Sequence, residues 1–200
     1  MRFVDGGPTG KNGGVTTEAA QLFSAMLALL TLIAGVLSFA ALLVRDRFAW
    51  SRALNDTVAD LGPILICLVS FGAMAGSLYF SEVANFNPCK LCWYQRIAVY
   101  STAIISLVGV VRRLRTFAPY TLVLSIVGLV VSIYHNVLEW FPTLESSVCS
   151  IDVPCTTIWF REFGFVTLTF MAGSSFIAVI AWSIVLMREP GKVLTTPTEE

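Results

Sequence analysis

Five runs of about twenty mainly apolar residues constrain this chain more than any other feature it carries. They extend approximately over Ala20–Val44, Leu61–Phe80, Trp93–Val111, Tyr120–Trp140 and Phe163–Met187. A hydrocarbon core of about 30 Å is crossed by roughly 20 residues of helix. In lipid a segment must satisfy its own backbone N–H and C=O groups. Each run therefore reads as a spanning helix, even where Val and Ile would favour a strand in water. With 56% hydrophobic and 13% charged residues in a chain of 200, little polar sequence remains for separate domains. The prediction is one all-α integral membrane bundle. It has a flexible tail at 1–19, a first spanning helix at 20–44, a four-helix unit at 61–187 and a flexible tail at 188–200. Formal net charge is zero, which implies no nucleic-acid or other polyanionic partner.

Lys and Arg concentrate in the cytoplasmic loops of membrane proteins. Arg45, Arg47 and Arg52 follow the first run, Arg112, Arg113 and Arg115 the third, and Arg188 and Lys192 the fifth. Those regions are expected in the cytoplasm. The loops Ser81–Cys92 and Phe141–Glu162 then face outward, together with the N-terminus. The first run is longer than the roughly 7–15-residue core of a signal peptide, and its arginines follow it rather than precede it. It is read as a retained helix.

The segment Asn87-Pro88-Cys89-Lys90-Leu91-Cys92-Trp93-Tyr94-Gln95-Arg96 places two thiols at the mouth of the third run. A Cys-x-x-Cys pair can form a reversible disulfide, and the outer side of a membrane lets disulfides persist. Cys89, Cys92 and Arg96 share one helix face. Asn87 and Pro88 read as the helix start, where exposed N–H groups favour a thiolate. Arg96 stands about one turn deeper than Cys92, against the positive-inside preference and near the positive end of a helix dipole. A cation there serves an anion, a thiolate or a reduced quinone oxygen, or else snorkels to head groups. Trp93 and Tyr94 read as interfacial anchors.

Cys149-Ser150-Ile151-Asp152-Val153-Pro154-Cys155 closes a small loop on the same predicted side. Alone it reads as a structural staple. Beside the first pair it reads as one half of a relay, because thiol–disulfide exchange passes electrons between pairs through mixed disulfides. A Cys₄ zinc site from Cys89, Cys92, Cys149 and Cys155 is the metal alternative; the wide second spacing and the oxidising compartment stand against it. Cys67, inside the second run, reads as a small hydrophobe. His135 and Glu139 read either as lining a polar cavity or as packed residues. Gly72 and Gly76 read as a close helix-packing face, and Arg161 and Glu162 as the outer membrane boundary.

The run Cys89-Lys90-Leu91-Cys92-Trp93-Tyr94-Gln95-Arg96-Ile97 closely resembles the signature of the disulfide bond formation protein B family (DsbB, or BdbC in Gram-positive bacteria). Cys155 followed by Phe163-Gly164-Phe165-Val166-Thr167 is similar to the second half of that pattern. The resemblance covers roughly Leu61 to Met187. It implies a four-helix transmembrane bundle, here with one additional N-terminal transmembrane helix whose role it does not explain. The implied activity is quinone-dependent protein-disulfide oxidation in the cell membrane: reoxidation of a DsbA-like thioredoxin-fold thiol oxidase with electrons passed to ubiquinone or menaquinone. Carried over by position, Cys89, Cys92, Cys149 and Cys155 are the catalytic cysteines. Cys92 is the thiolate against the quinone, Cys89 its disulfide partner and Arg96 the residue supporting it; His135, from its own place near the outer end of the fourth run, is also counted at the cofactor. Cys149, together with Cys155, engages the partner. The close spacing of Cys149 and Cys155 follows the Gram-positive members. A vitamin K epoxide reductase-like protein is disfavoured by chain order, since its loop pair precedes the Cys-x-x-Cys. A non-enzymatic membrane protein with two structural disulfides is the rival from another class.

Overall fold

The computed structural model describes residues 16–45, 47–144, 149 and 153–188. Residues 1–15 and 189–200 of the predicted tails, and part of the loop between the cysteines of the second pair, lie outside these residues, whereas Thr17–Ala19 and Arg188 belong to helices. Five helices follow one another: α1 (Thr17–Leu43), α2 (Ala49–Leu78), α3 (Lys90–Val111), α4 (Ala118–Trp140) and α5 (Leu168–Arg188). All five are long and apolar enough to cross a membrane. Among the described residues the only β pairing is an isolated bridge between Glu162 and Val166. The protein is an all-α multi-pass membrane protein.

Two helix starts differ from the hydropathy reading. α2 begins at Ala49 rather than Leu61, because Arg52, Asn55, Asp56 and Asp60 extend the helix beyond its apolar part. Asn55 anchors that extension, its Nδ2 donating to the Ala41 carbonyl at 3.1 Å. α5 begins at Leu168 rather than Phe163. Phe163 and Gly164 both take positive φ, at 51° and 79°, in the turn closed by the Glu162–Val166 bridge. A helix cannot run through two left-handed residues.

α5 is the most buried of the five helices, and α1, α2 and α4 all pack on it. Small residues permit the approach. A Cβ on Gly35 of α1 would lie 2.7 Å from the Ala178 Cα of α5. Polar side chains add interhelical bonds: Trp182 Nε1 donates to Ser38 Oγ at 3.1 Å, Gln95 Nε2 donates to Ser132 Oγ at 3.0 Å, and Thr121 and Ser183 share a bond of 3.0 Å. The first helix is therefore an integral part of the bundle.

Pro63 lies inside α2. It has no N–H for the carbonyl four residues earlier, which belongs to Ala59. Arg115, in the turn between α3 and α4, donates its Nη2 to that same Ala59 carbonyl. A loop arginine thus satisfies the acceptor that the proline orphans.

At the opposite end α2 leaves through a π-helical turn, Tyr79–Val83. Phe80 from that turn is buried, and its ring centroid lies 5.8 Å from Phe86 and 5.4 Å from Phe160. Phe86 stacks on Trp159 at 4.9 Å. This aromatic group ties the segment before Cys89 to the segment after Cys155.

Candidate active site

The helix start at the first pair falls two residues later than Asn87 and Pro88 predict. Cys89 is itself the N-cap of α3, and its Sγ accepts the Cys92 N–H at 3.3 Å. The two sulfurs lie 3.0 Å apart. Cys149 and Cys155 are joined as a disulfide. Cys155 is fully buried and packs with Cys89, Leu91 and Leu138, with Cys92, Cys149 and Val153 against the same cluster. The fold brings the two pairs together at one end of the bundle. Cys149 is partly exposed, whereas Cys155 has no accessible surface. Cys67 is free and sits in α2 away from both pairs.

His135 stands between the pairs. Its Nε2 lies 3.6 Å from Cys89 Sγ and 3.0 Å from the Cys155 carbonyl. Its Nδ1 lies 3.3 Å from Thr169 Oγ1. Thr169 and Thr167 each donate to Glu139, both at 2.7 Å and one to each carboxylate oxygen. The Cys155 carbonyl only accepts, so Nε2 carries a hydrogen. Thr169 spends its single hydrogen on Glu139. The ring is thus fixed between the Cys89 sulfur and, through Thr169, the buried Glu139.

That setting acts on Cys89. The hydrogen bond from the Cys92 thiol holds the Cys89 thiol down from 9.0 to about 4. Burial opposes this, and His135 and the Cys92 N–H add to it. Cys89 is the sulfur prepared to exist as a thiolate in the reduced pair, through its N-cap position and its imidazole neighbour.

Two cavities meet at the inner pair. A small one is lined by Cys89, Cys92, His135 and Glu139 with Pro154 of the second cysteine loop. The larger, of about 350 Å³, is lined by Cys92 and Arg96 but not by Cys89 or His135. Cys92 stands in the wall they share, with Asn87, Trp159 and Leu168. Arg96 donates to the Ser77 carbonyl at 3.0 Å and lies 5.2 Å from the Trp93 ring centroid. The sequence reading grouped His135 with Arg96 at the cofactor. In the structure His135 lines the smaller cavity, on the Cys89 side, and Arg96 the larger, because α4 approaches the pair from the flank that carries Cys155.

Gly72 and Gly76 also depart from their reading as a packing face. A Cβ at either position would meet nothing within 4 Å, and both line the larger cavity. Trp93 and Tyr94 are exposed on the bundle surface. Arg161 lies over the Trp140 ring at 4.4 Å. Thr169 was not singled out from sequence. The available signal was a Thr at each of two alternate positions opening a span, facing ionisable residues inside another.

Cys89, Cys92 and His135 offer ligand atoms within 4.8 Å of one another, three of the four that a structural zinc requires. Thiolates sharing a tetrahedral zinc stand about 3.8 Å apart, from a Zn–S distance of about 2.3 Å. The pair at 3.0 Å is closer than that, and the loop cysteines are bonded to each other. The arrangement suits disulfide exchange better than metal binding.

The family described as disulfide bond formation protein DsbB matches residues 60–190 of this chain. A probable disulfide formation protein of Oceanobacillus iheyensis is 39% identical over 131 residues, covering 64% of this chain and 90% of that protein. A probable disulfide formation protein C of Halalkalibacterium halodurans is 39% identical over 123 residues, covering 61% and 90%. The disulfide bond formation protein C of Bacillus subtilis is 37% identical over 123 residues, covering 61% and 89%. No solved structure matches the chain.

Proposed function

The chain belongs to the disulfide bond formation protein DsbB family, and on that premise we propose that it reoxidises an extracytoplasmic DsbA-like thiol oxidase and delivers the electrons to a membrane quinone, ubiquinone or menaquinone. The family makes it a membrane disulfide oxidoreductase; partner, acceptor and sidedness are the proposal. The observation that carries it is the place of Cys92, packed against the cluster that holds the loop disulfide and lining, with Arg96, a cavity along the membrane span.

The electrons move in three steps. A thiolate of the reduced partner attacks Cys149, the more exposed sulfur, and Cys155 leaves as a thiolate. The partner's second thiolate resolves that mixed disulfide, so the partner leaves oxidised and Cys149 and Cys155 are reduced. Cys155 then attacks Cys89 of an oxidised Cys89–Cys92 pair, and Cys92 leaves toward Arg96. Cys149 attacks Cys155, which restores the loop disulfide and frees Cys89 as a thiolate beside the His135 ring. Finally the two inner thiolates give up two electrons: the Cys89–Cys92 bond reforms, and the quinone takes up two protons, equal in number to those the partner's thiols released, to become quinol. The quinone supplies the electron sink. The chain supplies the ordering of the sulfurs, the cation at the acceptor and the imidazole, braced through Thr169 on Glu139, that favours thiolate at Cys89.

Arg45, Arg47, Arg112, Arg113 and Arg115 lie at the end of the bundle opposite the cysteines, which supports an extracytoplasmic cysteine end. The test uses purified protein in lipid nanodiscs with quinone and a reduced thioredoxin-fold dithiol protein. Quinol should form at the rate the dithiol is consumed, and Cys92→Ser should abolish both. Dithiol oxidation without quinol, or quinol formed equally by Cys92→Ser, removes the reading.

A further inference from the structure

The larger cavity has a wall that the family match does not cover. α1 ends before residue 60, where that match begins, yet Ser24, Leu27, Ala28 and Thr31 line the cavity together with Cys92 and Arg96. Ser24 to Thr31 covers about 10 Å of helix, and Cys92 to Tyr100 on the facing side about 12 Å. α1 therefore accompanies the cavity from the cysteine end well into the membrane span. At about 350 Å³ the space falls in the range of roughly 300–1,000 Å³ typical of small-molecule sites.

The remaining wall is shaped as a slot. Gly72 and Gly76 of α2 contribute no side chain, and nothing stands where their Cβ atoms would be. Tight helix packing does not explain glycine at those positions, whereas Gly35 on the same bundle is explained that way. Leu27 of α1 and Leu68 of α2 line the cavity and are 47% and 64% exposed on the lipid-facing surface. The slot thus opens sideways to hydrocarbon between α1 and α2. Its polar end holds Arg96 and Cys92. A molecule that fits carries an anion-forming, reducible head for that end and an apolar tail that leaves through the side.

We propose that α1 is a tail-binding subsite: the face formed by Ser24, Leu27, Ala28 and Thr31 closes the slot over Gly72 and Gly76 and holds the isoprenoid chain of the acceptor quinone, so that this helix selects among quinones by their tails. The inference rests on quinone being the acceptor. No bond is made or broken at α1; its contribution is contact area along the tail and exclusion of water from the head.

Two experiments test it. Thr31→Phe and Gly72→Val each fill the slot away from Cys92 and Arg96. The ratio of kcat/KM for a prenylated benzoquinone to that for its tailless counterpart should fall about tenfold in each, as for a pocket altered by a few methylenes. An unchanged ratio in both variants overturns the proposal. The second experiment needs no variant: wild-type protein is irradiated with a ubiquinone analogue carrying a diazirine in its first isoprenoid units. Label recovered on residues 24–31 supports the subsite, and label confined to α2–α5 overturns it. A wild type that reduces neither tailed nor tailless quinone overturns the acceptor reading itself, and the subsite with it; that outcome differs from a changed or unchanged ratio.

Discussion

Cys89 Sγ lies 3.6 Å from His135 Nε2, and the same nitrogen lies 3.0 Å from the carbonyl of Cys155. One imidazole thus touches both cysteine pairs, and its opposite nitrogen leads through Thr169 to a buried carboxylate. That ring favours thiolate on Cys89, so the chemistry of the inner pair is coupled to a residue fixed in the adjacent helix.

The first prediction concerns pH. Cys89 is held at about 4 instead of 9.0. Because the folded value is the lower one, the thiolate stabilises the reduced fold fully above about pH 9. That contribution diminishes as pH falls and is gone below about pH 4. The ultraviolet thiolate absorbance of the reduced protein, taken as a difference from Cys89→Ser, should persist at pH 6 and disappear only as pH falls through about 4. In His135→Asn the midpoint should move upward. A wild-type midpoint between pH 8 and 9, or one that ignores His135, contradicts the coupling.

Accessibility decides where a partner protein becomes trapped. Cys149 is partly exposed and Cys155 has no accessible surface. A dithiol partner lacking its resolving cysteine should accumulate as a mixed disulfide with Cys149, seen on a non-reducing gel and located by mass spectrometry. Recovery on Cys155 would require the loop to open first and would reverse the order of sulfurs.

Arg96 should act on one half of the reaction. It lines the larger cavity and not the smaller. Arg96→Lys keeps the charge but loses the planar donor fork. It should raise the KM for quinone about tenfold, the size of one charge-assisted contact of about 1.4 kcal/mol. The rate of mixed-disulfide formation with the partner should hold. Equal losses on both sides would mean that Arg96 acts through the fold, for instance through its bond to the Ser77 carbonyl.

Stability at the arginine-rich end rests on a substitution of donors. Arg115 serves the Ala59 carbonyl that Pro63 cannot. Arg115→Leu should cost about 1–3 kcal/mol, the penalty for a stranded buried acceptor. In the double variant Pro63→Ala, Arg115→Leu, the restored N–H of residue 63 reclaims that carbonyl, and most of the loss should return. Thermal unfolding in detergent measures both. Additive losses would show that the proline and the arginine act independently.

The sequence showed the helices more clearly than their ends. Length and apolarity suffice to locate a span in lipid, but they say nothing about helix that continues into water, as α2 does through Arg52 and Asn55. Nor do they register two left-handed residues, Phe163 and Gly164, that postpone α5 to Leu168. The four cysteines of the two pairs were legible because their chemistry depends on spacing. Contact between His135, Thr169 and Glu139 joins α4 to α5 and is visible only once those helices are side by side. Gly72 and Gly76 show a different limit. A pair of glycines four apart on a helix can mean backbone against backbone or an empty space, and only the neighbouring wall from α1 distinguishes the two.

A thin sulfur bulkhead has a further consequence. With Cys92 in the wall shared by the two cavities, the proposed relay keeps a water-borne reductant and a lipid-borne oxidant in separate compartments. On that proposal electrons from outside reach the sink only through a pair of sulfurs. Insulation of that kind lets a strongly oxidising reservoir be tapped by a chosen protein without being drained by every passing metabolite.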